Sequence, residues 1–208
     1  MNTPHPHLFD LQRLVVQLAQ IKRNHYLAGT EQHENDIEHS YMVALLSWFI
    51  IDNQSLSLDI AAVLKYALCH DFVEVYAGDI NTFASADDRK QKRVNETRSL
   101  KRLSEELYDF PDLIDCMKAY EDKADDETLF VWTVDKMQAL IMGDLDAWRP
   151  YQELPVDTSH TEFRTIPYDE FVSVHSAQLK KASPYAREIY DGLLQYCKTT
   201  YYDKPGKD

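Results

Sequence analysis

Apolar residues recur at steps of three and four positions along most of this chain, and this spacing constrains the fold more than any other feature. The first such run is Leu8, Leu11, Leu14, Val15, Leu18 and Ile21. Steps of three and four place side chains on one face of an α-helix. The 208 residues include only five Gly and eight Pro, which are too few for the many tight turns of an all-β fold. The pattern therefore predicts a helical protein.

Cap residues and the same apolar spacing predict further helices along the chain. Asn35 and Asp36 are suited to cap a second helix, and Ser57 or Asp59 opens a third. The predicted helices cover residues 8–21, 37–51, 60–71, 90–108, 111–120, 129–145, 168–181 and 184–200. Polar or Pro-containing segments at 22–36, 82–88 and 148–167 are predicted to be loops. We therefore expect an all-α fold of about seven to nine helices in a single domain over residues 1–208.

Composition excludes several functional classes. The chain has 22 Lys and Arg against 35 Asp and Glu, a formal charge of −13. This balance argues against binding to a nucleic-acid polymer, because clustered Lys and Arg hold phosphate backbones. It is compatible with one small phosphate bound through a metal ion, since the ion inverts the local field.

No targeting, membrane or disulfide signal is evident in the sequence. The first residues, MNTPHPHLFD, have neither the basic nor the apolar region of a signal peptide. The longest apolar stretch, at about 42–51, is too short to cross a bilayer. Three widely spaced cysteines give no disulfide framework. We expect a cytoplasmic protein that contacts no membrane.

Two histidines and two aspartates form a candidate metal-binding set. His39 lies in the first turn of the second predicted helix, and His70 and Asp71 end the third. Asp135 lies among apolar residues inside a later helix, where a carboxylate is costly unless it is paired or binds a metal. The structural alternative is a buried salt bridge or a helix-end hydrogen bond. Lys136 is a poor partner for a salt bridge because it points about 100° away around the helix.

Glu74 and Asp79 come shortly after His70 and Asp71 in the sequence. If the third helix continues, Glu74 shares a face with His70 and Asp71, and Asp79 follows the turn at Gly78. Two imidazoles and two carboxylates with open coordination positions suit one catalytic divalent ion, and Mn, Co, Ni, Fe or Zn would fit. A carboxylate beside the metal, Glu74, could orient or deprotonate a water molecule.

Two local strings resemble a known family. Residues 34–40 read ENDIEHS and residues 70–80 read HDFVEVYAGDI. They resemble the E-N-x-x-E-H-S and H-D-x-x-E-x-x-x-G-D-[IL] patterns of HD-domain metal-dependent phosphohydrolases, in the branch that contains the YfbR 5′-deoxynucleotidases. The resemblance covers about residues 8–145, and residues 146–208 are expected to add a loop and the last helices of the same HD-type helical bundle.

The resemblance also implies roles for individual residues. It implies four metal ligands, which are His39, His70, Asp71 and Asp135. It implies Glu74 as the catalytic carboxylate that activates water, and Asp79 as a residue near the sugar or its phosphate ester. Arg23 best matches the family's phosphate-binding Arg. That Arg is commonly followed by a Trp associated with the choice of sugar, whereas this sequence has Asn24.

The leading hypothesis is a metal-dependent hydrolase of the phosphomonoester of (deoxy)nucleoside 5′-monophosphates. One alternative keeps the metal and changes the substrate to a nucleoside triphosphate, a cyclic nucleotide or another phosphate ester, because loops decide specificity in such folds. Another is a helical binding or oligomerisation module without turnover. The resemblance also implies a homodimer whose small-molecule partner is the nucleotide substrate.

Overall fold

The computed structural model describes residues 5–155 and 163–202, and these residues are mostly helical. In chain order the helices are α1 Pro6–Leu18, α2 Asp36–Gln54, α3 Ile60–Cys69, α4 Glu74–Ala77, α5 Ala86–Glu106, α6 Pro111–Asp122, α7 Asp126–Leu145, α8 Arg149–Gln152, α9 Tyr168–Leu179 and α10 Arg187–Cys197. A π-helical turn, Lys198–Tyr202, extends α10. Within the described ranges, eight helices have ten or more residues, and α4 and α8 have four each. The predicted helical fold class is confirmed.

The polar stretch at 22–36 is not the predicted loop. It forms a two-stranded sheet of β1 Lys22–Tyr26 and β2 His33–Asn35. Gly29 allows the turn between them because it adopts a φ of +76°, which residues with a Cβ rarely adopt. The polar composition hid these strands, since neither buries an alternating apolar face.

Two other predicted loops contain regular structure. Residues 148–167 include α8 and two short antiparallel strands, β3 Leu154–Pro155 and β4 Phe163–Arg164, while residues 156–162 of this predicted loop lie outside the described residues. Helix α5 starts before the predicted position because the Ser85 hydroxyl accepts a hydrogen bond from the Asp88 N–H. Segments of two to four residues are too short for a periodic signal.

The described residues divide into two units. The first comprises the chain up to residue 23 together with residues 35–128. Its core consists of Leu14, Leu18, Cys69, Phe72, Val73, Leu103, Leu107, Ile114 and Met117. Because Cys69, Phe72 and Val73 belong to this core, the chain segment that carries His70 and Asp71 is fixed on both sides. All three cysteines are free thiols, as the absence of a disulfide framework predicted.

The second unit comprises residues 24–34 and the chain from residue 129 onward. Tyr151 and Phe171 are buried and meet edge to face, with ring centroids 5.7 Å apart. Helix α7 begins in the first unit and continues in the second, where Gln138 donates a hydrogen bond of 2.8 Å to Glu34. That the two units belong to one domain stays a prediction. None of the described helices combines the length and apolar character that crossing a bilayer requires.

Candidate metal and catalytic site

The start of α2 fixes the position of His39. The Asn35 side chain accepts hydrogen bonds from the N–H groups of Ile37 and Glu38, at 3.0 and 3.1 Å. Glu38 in turn accepts a 3.1 Å bond from the Asn35 N–H, which completes a capping box. Part of the motif at 34–40 therefore forms the N-terminal cap of α2. This cap places the fully buried His39 in the second turn of the helix.

The end of α3 presents His70 in one tautomer. Its Nδ1 lies 2.9 Å from the carbonyl oxygen of Ala67. A carbonyl oxygen only accepts, so Nδ1 carries a hydrogen, and Nε2 is the ring nitrogen left to bind a metal. This Nε2 is buried and has no hydrogen-bond partner within the described residues. Metal-binding histidines are oriented by the same kind of hydrogen bond, and an uncompensated buried nitrogen fits a metal ligand.

Asp71 brings the two histidines together. Its Oδ2 lies 3.2 Å from His70 Nε2 and 3.7 Å from His39 Nε2. The two imidazole rings are 5.2 Å apart between centroids. Three of the predicted ligands thus converge within the first unit, and they form a His/Asp site whose donor atoms suit a divalent metal.

Arg23, the last residue of the first chain segment of this unit, lies beside these groups. Its Nη1 is 2.7 Å from Asp71 Oδ2 and 3.2 Å from Asp36 Oδ1. Burial by itself would raise the pKa of Asp71, but His70 and Arg23 outweigh it and lower this pKa below its usual value. Asp71 is therefore ionised at neutral pH, as a ligand must be.

Asp36 is a member of this cluster that the sequence reasoning treated only as a helix cap. It is fully buried, and burial together with the charge of Asp71 raises its pKa to about 7, although Arg23 acts in the opposite direction. One oxygen each of Asp36, Asp71 and Glu74 lie within 4.8 Å of one another. The sequence did contain a signal that could have identified Asp36 as a site residue. It lies three positions before His39, and this spacing places both residues on one helix face.

Glu74 reaches the cluster from a different helix than the one that precedes His70. Helix α3 ends at Cys69, a turn follows, and the one-turn helix α4 begins at Glu74. The condition for a shared helical face is therefore not met. The Glu74 N–H donates to the Asp71 carbonyl over 2.8 Å, which keeps the two residues close through the turn. Burial, reinforced by Asp71 and Asp79, raises the Glu74 pKa well above its ordinary value.

Asp79 follows a glycine that turns the chain. Gly78 has a φ of +74°, in the region that favours glycine, and donates to the Glu74 carbonyl over 2.7 Å. The Asp79 side chain then lies 3.9 Å from the Nζ of Lys92. Lys92, on α5, is the second site residue that the sequence reasoning missed. No spacing rule relates it to Glu74, which lies 18 positions earlier and contacts it at 3.0 Å.

Asp135 lies on α7 in the second unit and is buried. Its Oδ2 is 2.6 Å from the Nζ of Lys136. The prediction that Lys136 is a poor partner is wrong, because its long side chain reaches back to its neighbour despite leaving the helix in another direction. The buried salt bridge, given as the structural alternative, is therefore present. That Asp135 also binds a metal stays a prediction.

The model of the HD domain family matches residues 15–184, which is most of the chain. The chain belongs to the HD-domain family. The predicted membership of the HD-domain family is thereby confirmed, while metal-dependent phosphohydrolase activity and membership of the YfbR-like branch stay predictions. No curated protein matches the sequence.

Solved structures similar to this HD-domain protein share its fold. One, described as a predicted metal-dependent phosphohydrolase from Magnetospirillum magnetotacticum MS-1, has 21% identity and a TM-score of 0.69, over 95% of this chain and 96% of its own. A conserved hypothetical protein from Pyrococcus furiosus has 21% identity and a TM-score of 0.58, over 90% of this chain and 99% of its own. A Pyrococcus horikoshii OT3 protein has 18% identity and the same TM-score of 0.58, over 90% and 98%. At these identities the likeness concerns the fold.

Proposed function

We propose that this HD-domain protein is a metal-dependent phosphohydrolase that releases phosphate from (deoxy)nucleoside 5′-monophosphates. The proposal rests on the arrangement of His70. Its Nδ1 donates a hydrogen bond to a backbone carbonyl, while its buried Nε2 faces Asp71. Such an arrangement is typical of metal ligands. The similar Magnetospirillum protein is described as a predicted metal-dependent phosphohydrolase. The choice of a monophosphate rests on the resemblance of the two motifs.

The proposed ligands of one divalent ion are His39, His70, Asp71 and Asp135. Mn, Co, Ni, Fe and Zn all accept two imidazoles with two carboxylates. When bound, such an ion would offset phosphate charge and lower the pKa of a coordinated water.

The remaining roles fall to side chains of the first unit. Glu74 would accept a proton from the attacking water, since its Oε2 is buried without a hydrogen bond in the described residues. Arg23, 2.7 Å from Asp71, would place positive charge beside the equatorial phosphate oxygens. Asp79 would orient the sugar or its ester oxygen.

The proposal is tested by phosphate release from all ribo- and deoxynucleoside 5′-monophosphates, each with several divalent metals. A triphosphate, a cyclic nucleotide and a generic phosphomonoester complete the panel, so that a different substrate class would be recognised. Release from monophosphates is expected. A protein that binds metal but releases phosphate from no member of the panel would instead be a binding module.

The Glu74→Gln variant tests the assignment of the base. General-base catalysis contributes about 10²- to 10⁴-fold, so we expect kcat to fall by about that factor while the metal stays bound. Metal content is measured on the same samples. Glu105→Gln, at an exposed position of α5, is the matched control and should retain full activity. Unchanged turnover in Glu74→Gln would refute the role given to this carboxylate.

A further inference from the structure

Lys92 is a cation inserted among carboxylates of the first unit. Its Nζ lies 3.0 Å from Glu74 Oε1, 3.6 Å from Glu96 Oε1 and 3.9 Å from Asp79 Oδ1. It also donates to the carbonyl oxygen of Ile80 over 3.4 Å. The ammonium thus spans the segment from Glu74 to Ile80, which holds both proposed reaction carboxylates. None of the roles derived above uses this residue.

The two oxygens of Glu74 have different surroundings. Oε1 accepts the hydrogen bond from Lys92, while Oε2 is buried and has no hydrogen-bond partner in the parts of the chain that the structure describes. Without a partner at Oε1, rotation about the last side-chain torsion would exchange the two oxygens, because that torsion is broad and roughly two-fold. Lys92 removes this equivalence and leaves Oε2 as the oxygen that can accept a proton.

Stability alone is a weak reason for a lysine at this place. A buried ion pair pays a desolvation penalty that often exceeds its attraction, and apolar replacements of similar size are frequently as stable. Glu74 is only 3% exposed and the Lys92 side chain 24% exposed, so both charges are largely removed from water. Burial opposes the charge of Lys92, but the carboxylates around it, with Glu74 the largest contributor, raise its pKa above the ordinary value.

We propose that Lys92 is a positioning residue for Glu74: it holds Oε1 in place, so that Oε2 is the oxygen that takes the proton of the attacking water. The inference rests on the proposed function, because it assigns Lys92 a purpose in that reaction. It acts through Glu74 and need not touch the substrate.

Kinetics of three variants test the proposal. Lys92→Met keeps the length of the side chain and removes its charge, and we expect kcat to fall by about tenfold or more with KM changed by less than about twofold. Lys92→Arg retains a cation and donor and should recover a large part of the lost kcat. Lys90→Met, at an exposed position of the same helix, is the matched control and should behave as the parent protein. Full kcat in Lys92→Met would overturn the proposal, and so would a loss that Lys92→Arg does not reduce.

A second measurement does not depend on turnover. If Lys92 and Glu74 are energetically coupled, Lys92→Met should lower Tm by leaving a buried carboxylate uncompensated, and adding Glu74→Gln should restore part of the loss. Additive Tm shifts would overturn the proposal whether or not a substrate has been found. Coupled shifts in a protein that hydrolyses no substrate would refute the proposed function but leave the Lys92–Glu74 pair in place.

Discussion

Two carboxylates that share one arginine titrate in opposite directions. Asp71 and Asp36 both contact Arg23, yet the pKa of Asp71 is lowered and that of Asp36 is raised to about 7. The difference follows from their other neighbours, since Asp71 faces two imidazoles, while Asp36 is buried near the negative charges of Asp71 and Asp79. At neutral pH Asp71 is therefore the carboxylate that is suited to bind a cation.

A buried histidine outside the site makes stability depend on pH. Burial, and to a smaller extent Lys136, lowers the pKa of His175 from 6.5 to about 3. The unfolded chain therefore binds a proton below about pH 6.5 that the native state takes up only near pH 3. Stability is fully present above pH 6.5 and is lost as the pH falls towards 3. Between pH 7.5 and 5 we expect a loss of about 2 kcal/mol from this residue.

The measurement is urea unfolding of the parent protein and of His175→Asn at both pH values. The site carboxylates titrate in both proteins, so their contribution cancels in the comparison. The variant is less stable throughout, because His175 is buried against Tyr190, but it should lose about 2 kcal/mol less on acidification. Equal losses in the two proteins would show that His175 is protonated in the native state.

Helix starts could be predicted from the sequence more accurately than the breaks between helices. Asn35, Asp59 and Pro111 begin their helices as their residue types require. The break between α3 and α4 has no such signal. It is imposed by packing, because Phe72 and Val73 enter the core and the Ser99 hydroxyl donates a hydrogen bond to the Val73 carbonyl. The same carbonyl also accepts a hydrogen bond of 3.3 Å from the Ala77 N–H, with which α4 begins.

The capping box of α2 is expected to support both the helix and its ligand. In Asn35→Ala the N–H groups of Ile37 and Glu38 lose their acceptor, which typically costs about 1 kcal/mol. We expect urea unfolding to show this loss, and metal affinity to weaken because His39 lies in the second turn. Asn53→Ala, exposed near the other end of the same helix, should cost nothing. A cost of the same size in Asn53→Ala would show that the loss in Asn35→Ala does not come from the cap.

At the scale of the whole molecule, the order of the proposed metal ligands could be predicted from the sequence, but the charged side chains that surround them could not. His39, His70 and Asp71 lie in motif strings with fixed spacing. Arg23 contacts Asp71 across 48 positions, and Lys92 contacts Glu74 across 18. Such contacts depend on how the helices pack, which no local pattern specifies. The charge of −13 likewise gave no hint that two cations lie beside the proposed reaction centre.

Metal binding should stabilise the folded chain as a whole. A ligand that binds only the native state adds about 2.7 kcal/mol at a concentration of 100 times its Kd, which for a chain of this length raises Tm by roughly 5–10 °C. We expect thermal unfolding to show this rise with Mn, Co, Ni, Fe or Zn and to show its reversal on adding EDTA.

His70→Ala removes the buried Nε2 and should abolish most of the metal-dependent rise, whatever its own Tm, whereas His7→Ala on the exposed face of α1 should retain it. A rise of equal size in His70→Ala would mean that the metal binds elsewhere, since a ligand set that has lost its buried imidazole cannot keep the same affinity.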